Sequence, residues 1–195
     1  RYVAAMRPDL VASVTTVGTP HQGAELADLL MDVVQEGSLT NTVLVGVVGG
    51  LGTLLAVLSG TSNPQDPDLA LQALSSDGAA EFNALYPKGL PTSWCGEGPA
   101  QVDGIYYFSW SGTRPVTNLL DVSDPLLGLT SLVYSESNDG LVGRCSSHFG
   151  TVIRDDYKQN HLDEVNLLLG LVHWWSVGPK TLYRQHANRL ANLGL

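Results

Sequence analysis

Residues 10–17 read L-V-A-S-V-T-T-V, an apolar and β-branched run bounded by Asp9 and Gly18. Such a run fits a strand buried on both faces, which belongs in a parallel sheet covered by helices. The residues before it, R-Y-V-A-A-M-R-P over 1–8, read as the tail of a helix that stops ahead of proline. Helix, short loop and buried strand form the repeating unit of an α/β fold. The strand runs into G-T-P-H-Q-G over residues 18–23, a turn-rich loop at its carboxyl end. Open α/β sheets place their ligands at that end. His21 in this loop is a candidate base; the preferred reading is a loop histidine hydrogen-bonded to backbone. A chain that opens inside a helix is expected to be part of a longer one.

Further along, residues 24–35 carry the pattern of an amphipathic helix. Residues 37–64 then contain no charge, and V-L-V-G-V-V-G-G-L-G-T-L-L-A-V-L over 43–58 is strongly apolar. Three readings stay open for it. A membrane span wants about 20 apolar residues and basic flanks. A buried core helix is the second. The third is a mobile flap, apolar on its inner side, because the glycines at 46, 49, 50 and 52 weaken a helix by about 1 kcal/mol each relative to alanine. Two short helices are expected within residues 65–86, separated by S-S-D-G, then loop to Gly104 and a strand over Ile105–Ser111. The closing helices are expected over Asp163–Trp174 and Lys180–Asn192. With 195 residues and no repeat or linker, one domain is expected.

The net charge is −9, and the 10 Lys and Arg residues are scattered, which excludes a nucleic-acid stripe. The two cysteines, Cys95 and Cys145, lie in turn-rich sequence. That predicts one disulfide and an oxidising compartment.

The chemistry concentrates between Asn138 and Glu164. Asp139 lies in an N-D-G turn, and His161 precedes the pattern of a helix. An acid followed by a histidine late in an α/β chain matches the last two members of a serine, acid, histidine order. The acid fixes the imidazole's tautomer, and the imidazole takes the nucleophile's proton. Taken singly, such an aspartate is most often structural and such a histidine merely satisfied. The serine elbow G-x-S-x-G does not occur; the nearest miss, G-T-S-N-P over 60–64, has proline for the second glycine. Asp121 and Asp163 could supply hard oxygen ligands to calcium, set against the plainer roles of solvated carboxylates or helix caps. Zinc is disfavoured, since there is no H-E-x-x-H and no second cysteine pair.

Several blocks taken together resemble a known family: R-Y-V-A-A-x-R-P-D-L, V-G-T-P-H-x-G, F-N-A-L-Y-P-x-G-x-P-T-S-x-C-G-E-G, S-W-S-G, N-D-G-L-V-G-x-C-S-S-H-x-G, N-H-L-D-E-V-N and Y-R-Q-H-A-N-R-L. They look like the secreted triacylglycerol lipases of Pseudomonas and Burkholderia, and the likeness runs from Arg1 to Leu195. The resemblance implies an α/β-hydrolase fold, here a single partial domain over residues 1–195 with a helical lid at about 30–62. It also implies Asp139 as catalytic acid, His161 as catalytic base and a Cys95–Cys145 disulfide. A structural calcium would be held by Asp121, Asp163 and the backbone carbonyls of Leu167 and Leu171. A long-chain acylglycerol at an oil–water interface would be the substrate, a lipase-specific foldase the partner, and secretion through the periplasm the destination. Neither nucleic acid nor an integral membrane position is expected.

The family's G-H-S-x-G-G lies just ahead of the segment matching Arg1. The chain alone is therefore expected to be inactive, to lack the leading strands of the sheet and to be poorly soluble without that N-terminal segment. Two other readings stand beside this one: a non-catalytic remnant or binding module, and a small membrane protein spanning at residues 43–58.

Overall fold

The computed structural model describes residues 1–35, 67–167 and 170–195. The expected flap over 43–58, the rejected serine at 62 and most of the expected lid lie outside the described residues.

Strand β3 (Ile105–Gly112) is the centre of the sheet. It pairs in parallel with β1 (Ser13–Val17) along one edge and with β4 (Thr151–Tyr157) along the other. The two-residue β2 (Gln101–Val102) pairs antiparallel with the start of β3. Asp103 (φ 51°) and Gly104 (φ 84°) turn that hairpin. Positive φ at both central residues is what a tight hairpin turn demands, and Asp-Gly accepts it at low cost. All of β3 except Tyr106 is buried, as its continuous I-Y-Y-F-S-W-S-G run requires of a central parallel strand.

Helices cover both faces. Ala4 of α1 (Tyr2–Met6) packs with Ile105, Tyr107 and Phe149 on one face. On the other, the rings of His186 and Tyr183 from α7 (Pro179–Asn192) meet Phe108 and Trp110 edge to face. A second apolar cluster joins Leu26 and Leu30 of α2 (Glu25–Gln35) to Leu71 of α3 (Pro67–Leu74), to Leu126 of α5 (Asp124–Thr130), and to Val133, Tyr134 and Leu141. Ser75 caps the next helix, α4 (Ser76–Leu85), by accepting the amide of Gly78 at 3.1 Å. The break between α3 and α4 is therefore one residue, not the four of S-S-D-G.

Three expectations shift. The first strand begins at Ser13, because Pro8–Leu10 forms a 3₁₀ turn. The expected Asp163–Trp174 helix is replaced by α6 (His161–Glu164), which ends at once. Asn166 adopts φ 56°, a left-handed conformation that terminates helices. The third is β4, in a stretch to which the sequence assigns no element. Its Arg154 and Asp156 are exposed, a polar pattern suited to a sheet edge. Among the described residues, β1 pairs only with β3, so its outer edge has no strand partner.

Candidate active site

Asp139 and His161 arrive from two loops at the carboxyl end of the sheet. The first loop is an Asx turn in which Asn138 Oδ1 accepts the amide of Gly140 at 2.9 Å. Asn138 Nδ2 also donates to the carbonyls of Ser131 and Glu136. Gly140 takes φ 102°, and a Cβ there would press on Leu127. Asp139 is fully buried. Its Oδ1 accepts the amides of Leu141 (2.9 Å) and Val142 (2.7 Å). Its Oδ2 stands 2.8 Å from His161 Nδ1.

His161 is the first residue of α6. Asn160 caps that helix by accepting the amides of Leu162 and Asp163, while Asp163 accepts the amide of Asn160. This reciprocal box fixes the helix end and with it the imidazole. The amide of His161 also donates to the Asp139 carbonyl at 3.0 Å, tying the two loops together. The imidazole keeps 29% of its side-chain surface. Burial disfavours its charged form, but the Asp139 carboxylate outweighs this by charge and hydrogen bond and holds the imidazole above its ordinary value.

The sequence reading missed Glu164. It lies three residues after His161, hence on the same helical face. The polar atoms of Asp139, His161 and Glu164 all lie within 4.8 Å of one another. Glu164 Oε1 accepts the amide of Gly112, at the end of β3. Its Oε2 is buried and has no hydrogen-bond partner among the described residues. Burial, then the charge of Asp139, pushes this carboxyl well above the usual range. The signal was present in H-L-D-E spacing, but nothing local says which acid faces the histidine. Gly18, at the end of β1, closes the floor. It has φ 51°, and a Cβ there would collide with Glu164 Oε2 and lie 3.1 Å from both Asp139 Oδ2 and His161 Nδ1.

His21 does not join this group. Its ring is buried and stacked on Phe149, with Arg1 beside Nδ1 at 3.3 Å and Thr16 Oγ1 at 3.0 Å from Nε2. Burial, reinforced by the positive charge of Arg1, lowers it to about 3, so it stays neutral.

A second polar cluster lies on the far side of Asn160. Asp121 Oδ1 accepts the amide and hydroxyl of Ser123. Asn160 Nδ2 reaches Asp121 Oδ2 at 3.3 Å and Asp124 Oδ1 at 2.9 Å. Asp121, Asp124 and Asp163 are all buried. Among the described residues none pairs with Lys or Arg. Burial raises the Asp163 carboxyl to about 6, with the charges of Asp121 and Asp124 adding to it against hydrogen bonds from Asn160 and Thr117. Buried oxygen ligands without a countercharge fit a hard divalent cation. Leu167 lies in the turn after α6, and Leu171 follows residues 168–169, which are outside the described residues.

Cys95 and Cys145 are joined in a disulfide across 50 residues of sequence. Beside it, His148 bridges the Gly96 carbonyl and Asp155, and Arg144 grips Asp155 with two nitrogens.

No family model matches the chain. Among curated proteins it is 55% identical over 196 residues to a triacylglycerol lipase of Vibrio cholerae. It is 43% identical over 207 residues to one of Pseudomonas fragi, and 38% over 229 residues to one of Burkholderia plantarii. Each comparison takes in the whole chain, and the Pseudomonas fragi protein is covered over 70% of its length.

The chain belongs to the triacylglycerol lipases.

It spans 63% of the length of the Vibrio and Burkholderia relatives. Among solved structures it is similar to the mature Bacillus licheniformis lipase BlEst2, at 20% identity and a TM-score of 0.48, over 87% of this chain and 58% of that one. As in other α/β-hydrolases, parallel strands carry helices on both faces, and an acid loop and a histidine loop meet at their carboxyl ends. Among the described residues no helix is long and apolar enough to cross a membrane.

Proposed function

We propose that the protein is a secreted, calcium-dependent triacylglycerol lipase in which Asp139 and His161 serve a serine supplied from outside these 195 residues. The single observation that carries this reading is the 2.8 Å contact between Asp139 Oδ2 and His161 Nδ1, in a chain 55% identical to a lipase. With Nδ1–H donated to Asp139, Nε2 is left unprotonated and able to accept a hydroxyl proton. Asp139 Oδ1 is held by two amides, so the carboxylate keeps its direction while the imidazolium forms. His161 takes the serine proton as that oxygen attacks the ester carbonyl, then returns it to the departing alkoxide; water repeats the cycle on the acyl-enzyme.

Calcium, when bound, would supply a fixed positive centre for oxygen ligands. Asp121 and Asp163, with the carbonyls of Leu167 and Leu171, are the residues that would hold it. Their part is to steady the loop that carries His161. A long-chain acylglycerol at an oil–water interface is the proposed substrate. The disulfide suits a periplasmic route outward, and a lipase-specific foldase is the proposed folding partner. The serine-bearing segment would add its strands along the open outer edge of β1, leaving the 195-residue chain inactive alone.

Hydrolysis of a long-chain triacylglycerol is the test. The 195-residue chain should release no more fatty acid than its His161→Ala variant. Joined to the serine-bearing segment it should turn over, and H161A should abolish that turnover. Release by the chain alone above the H161A level would overturn the divided site. No release by the joined protein would overturn the lipase reading.

A further inference from the structure

Two loops beyond the carboxyl edge of the sheet carry exposed apolar side chains. One follows β3 and presents Leu119 (102% exposed), Leu120 (75%) and Val122 (84%). The other follows α6 and presents Trp174 (87%) and Trp175 (83%) on a tight turn, in which the Ser176 amide donates to the His173 carbonyl at 2.7 Å. Both loops are held from beneath. Asn118 Nδ2 reaches the Val172 carbonyl at 3.4 Å, joining one loop to the other. Gln159 Nε2 donates to the Val177 carbonyl at 2.7 Å, joining the tryptophan turn to the residues just before His161. The apolar tips are therefore displayed by a polar frame shared with the candidate active site.

The charge around the turn runs against that of the chain. The whole sequence carries −9. The Arg114 amide donates to the Gln159 carbonyl at 3.2 Å, Lys158 precedes Gln159 in the chain, and the Gln159 side chain holds the Val177 carbonyl, which sets both cations on the frame beneath the tryptophan turn. Among the described residues neither Arg114 nor Lys158 forms an ion pair. Indole rings with an apolar body and a polar N–H favour the boundary between water and acyl chains. Unpaired cations beside them add attraction to a negatively charged surface.

We propose that Trp174 and Trp175, with Leu119, Leu120 and Val122, form an interfacial anchor that docks the protein on a negatively charged ester-lipid surface. Arg114 and Lys158 meet the fatty-acid carboxylates that hydrolysis leaves there. This rests on the lipase reading, and it goes beyond it by separating attachment to the surface from the expected lid. The anchor presents the Asp139–His161 edge to the lipid, so the substrate need not reach the site through bulk water.

The test uses the intact protein as its gene encodes it, with H161A in every sample so that no lipid is consumed. Binding is read by co-sedimentation with vesicles of phosphatidylcholine alone or mixed with phosphatidylglycerol, and by quenching of tryptophan by brominated acyl chains. W174S/W175S should lower the partition coefficient by about tenfold or more on both vesicles, with an unchanged far-ultraviolet circular dichroism spectrum. R114Q/K158Q should weaken binding only where phosphatidylglycerol is present. Its effect should vanish in high salt. Absence of binding by the parent, or equal binding by W174S/W175S, would overturn the proposal. So would a parent that is dimeric in size-exclusion chromatography and becomes monomeric in W174S/W175S with vesicle binding unaltered, since the patch would then face a second copy. A separate assay with a soluble short-chain ester, run on protein retaining His161, judges the hydrolase reading. Failure there leaves the vesicle result to judge the anchor.

Discussion

At Gly18 the backbone takes φ 51°, and the space where a Cβ would stand is filled by Glu164, Asp139 and His161. Gly18→Ala combines left-handed strain with a collision against side chains that are themselves fixed. It should lower the thermal midpoint by the equivalent of about 1–3 kcal/mol and cut turnover of the joined enzyme, both measurable on one preparation. His161 carries a pH signature. Its raised value makes the Asp139–imidazolium pair a stabilising contact below the ordinary histidine range, and that stability is lost as pH rises through the folded value. Catalysis needs the opposite protonation state. The kcat/KM of the joined enzyme should therefore climb with pH through an apparent pKa above 6.5. D139N should lower that pKa and reduce kcat by roughly 10³- to 10⁴-fold, as expected when an imidazole loses the acid that sets its tautomer. A pH–rate profile unmoved by D139N would contradict the pairing. Asp139 and His161 were legible because their order along the chain carries meaning. Glu164 was not, because its importance comes from contact with Gly112 and Gly18, which are remote in sequence.

At the scale of elements, α6 does two things in four residues. Its first residue offers the imidazole to Asp139, and its third, Asp163, joins the buried carboxyl cluster with Asp121 and Asp124. The sign of the Asp163 shift makes a metal test possible. A carboxyl raised to about 6 keeps an extra proton in the folded state between the ordinary aspartate range and that value. Without a cation, stability should therefore fall as pH rises through about 6. Calcium binding to the ionised site should offset that fall. Chelation with EGTA should lower the melting temperature clearly at pH 8 and little at pH 5, and D121N should remove the difference. Equal effects at both pH values would argue against the site. The short length of α6 was hidden because D-E-V-N-L-L-L over residues 163–169 has helical periodicity. The left-handed Asn166 overrides it. Strand β4 was hidden for the converse reason: R-D-D-Y is polar enough to read as loop, and only pairing with β3 makes it a strand.

Across the whole molecule, the disulfide is the longest covalent constraint among the described residues. It anchors the acid loop to the segment before β2 by closing a 50-residue separation. Loop-closure entropy assigns such a bond about 4 kcal/mol. Reduction, or C95S/C145S, should lower the extrapolated stability accordingly and steepen the denaturant slope, because the released denatured chain exposes more surface. A shift of a few tenths of a kcal/mol would mean that the His148–Asp155–Arg144 contacts hold the loop unaided. The open outer edge of β1 sets the other property at this scale. Among the described residues no strand pairs with that edge, and its amides and carbonyls are free to take one.

The sequence by itself determined the α/β class, through buried β-branched runs alternating with helical ones. It also carried the acid-then-histidine order, and the turn-rich setting of its two cysteines predicted the disulfide that the structure forms. Tertiary structure alone decided that Gly18 must lack a side chain, that Glu164 is buried beside the pair, that β4 completes one edge of β3, and that two apolar loops share a polar frame with the site. Those outcomes depend on groups far apart in sequence being excluded from water together. Local pattern reports which residues want burial, but only the packed chain fixes which charges are left facing one another there.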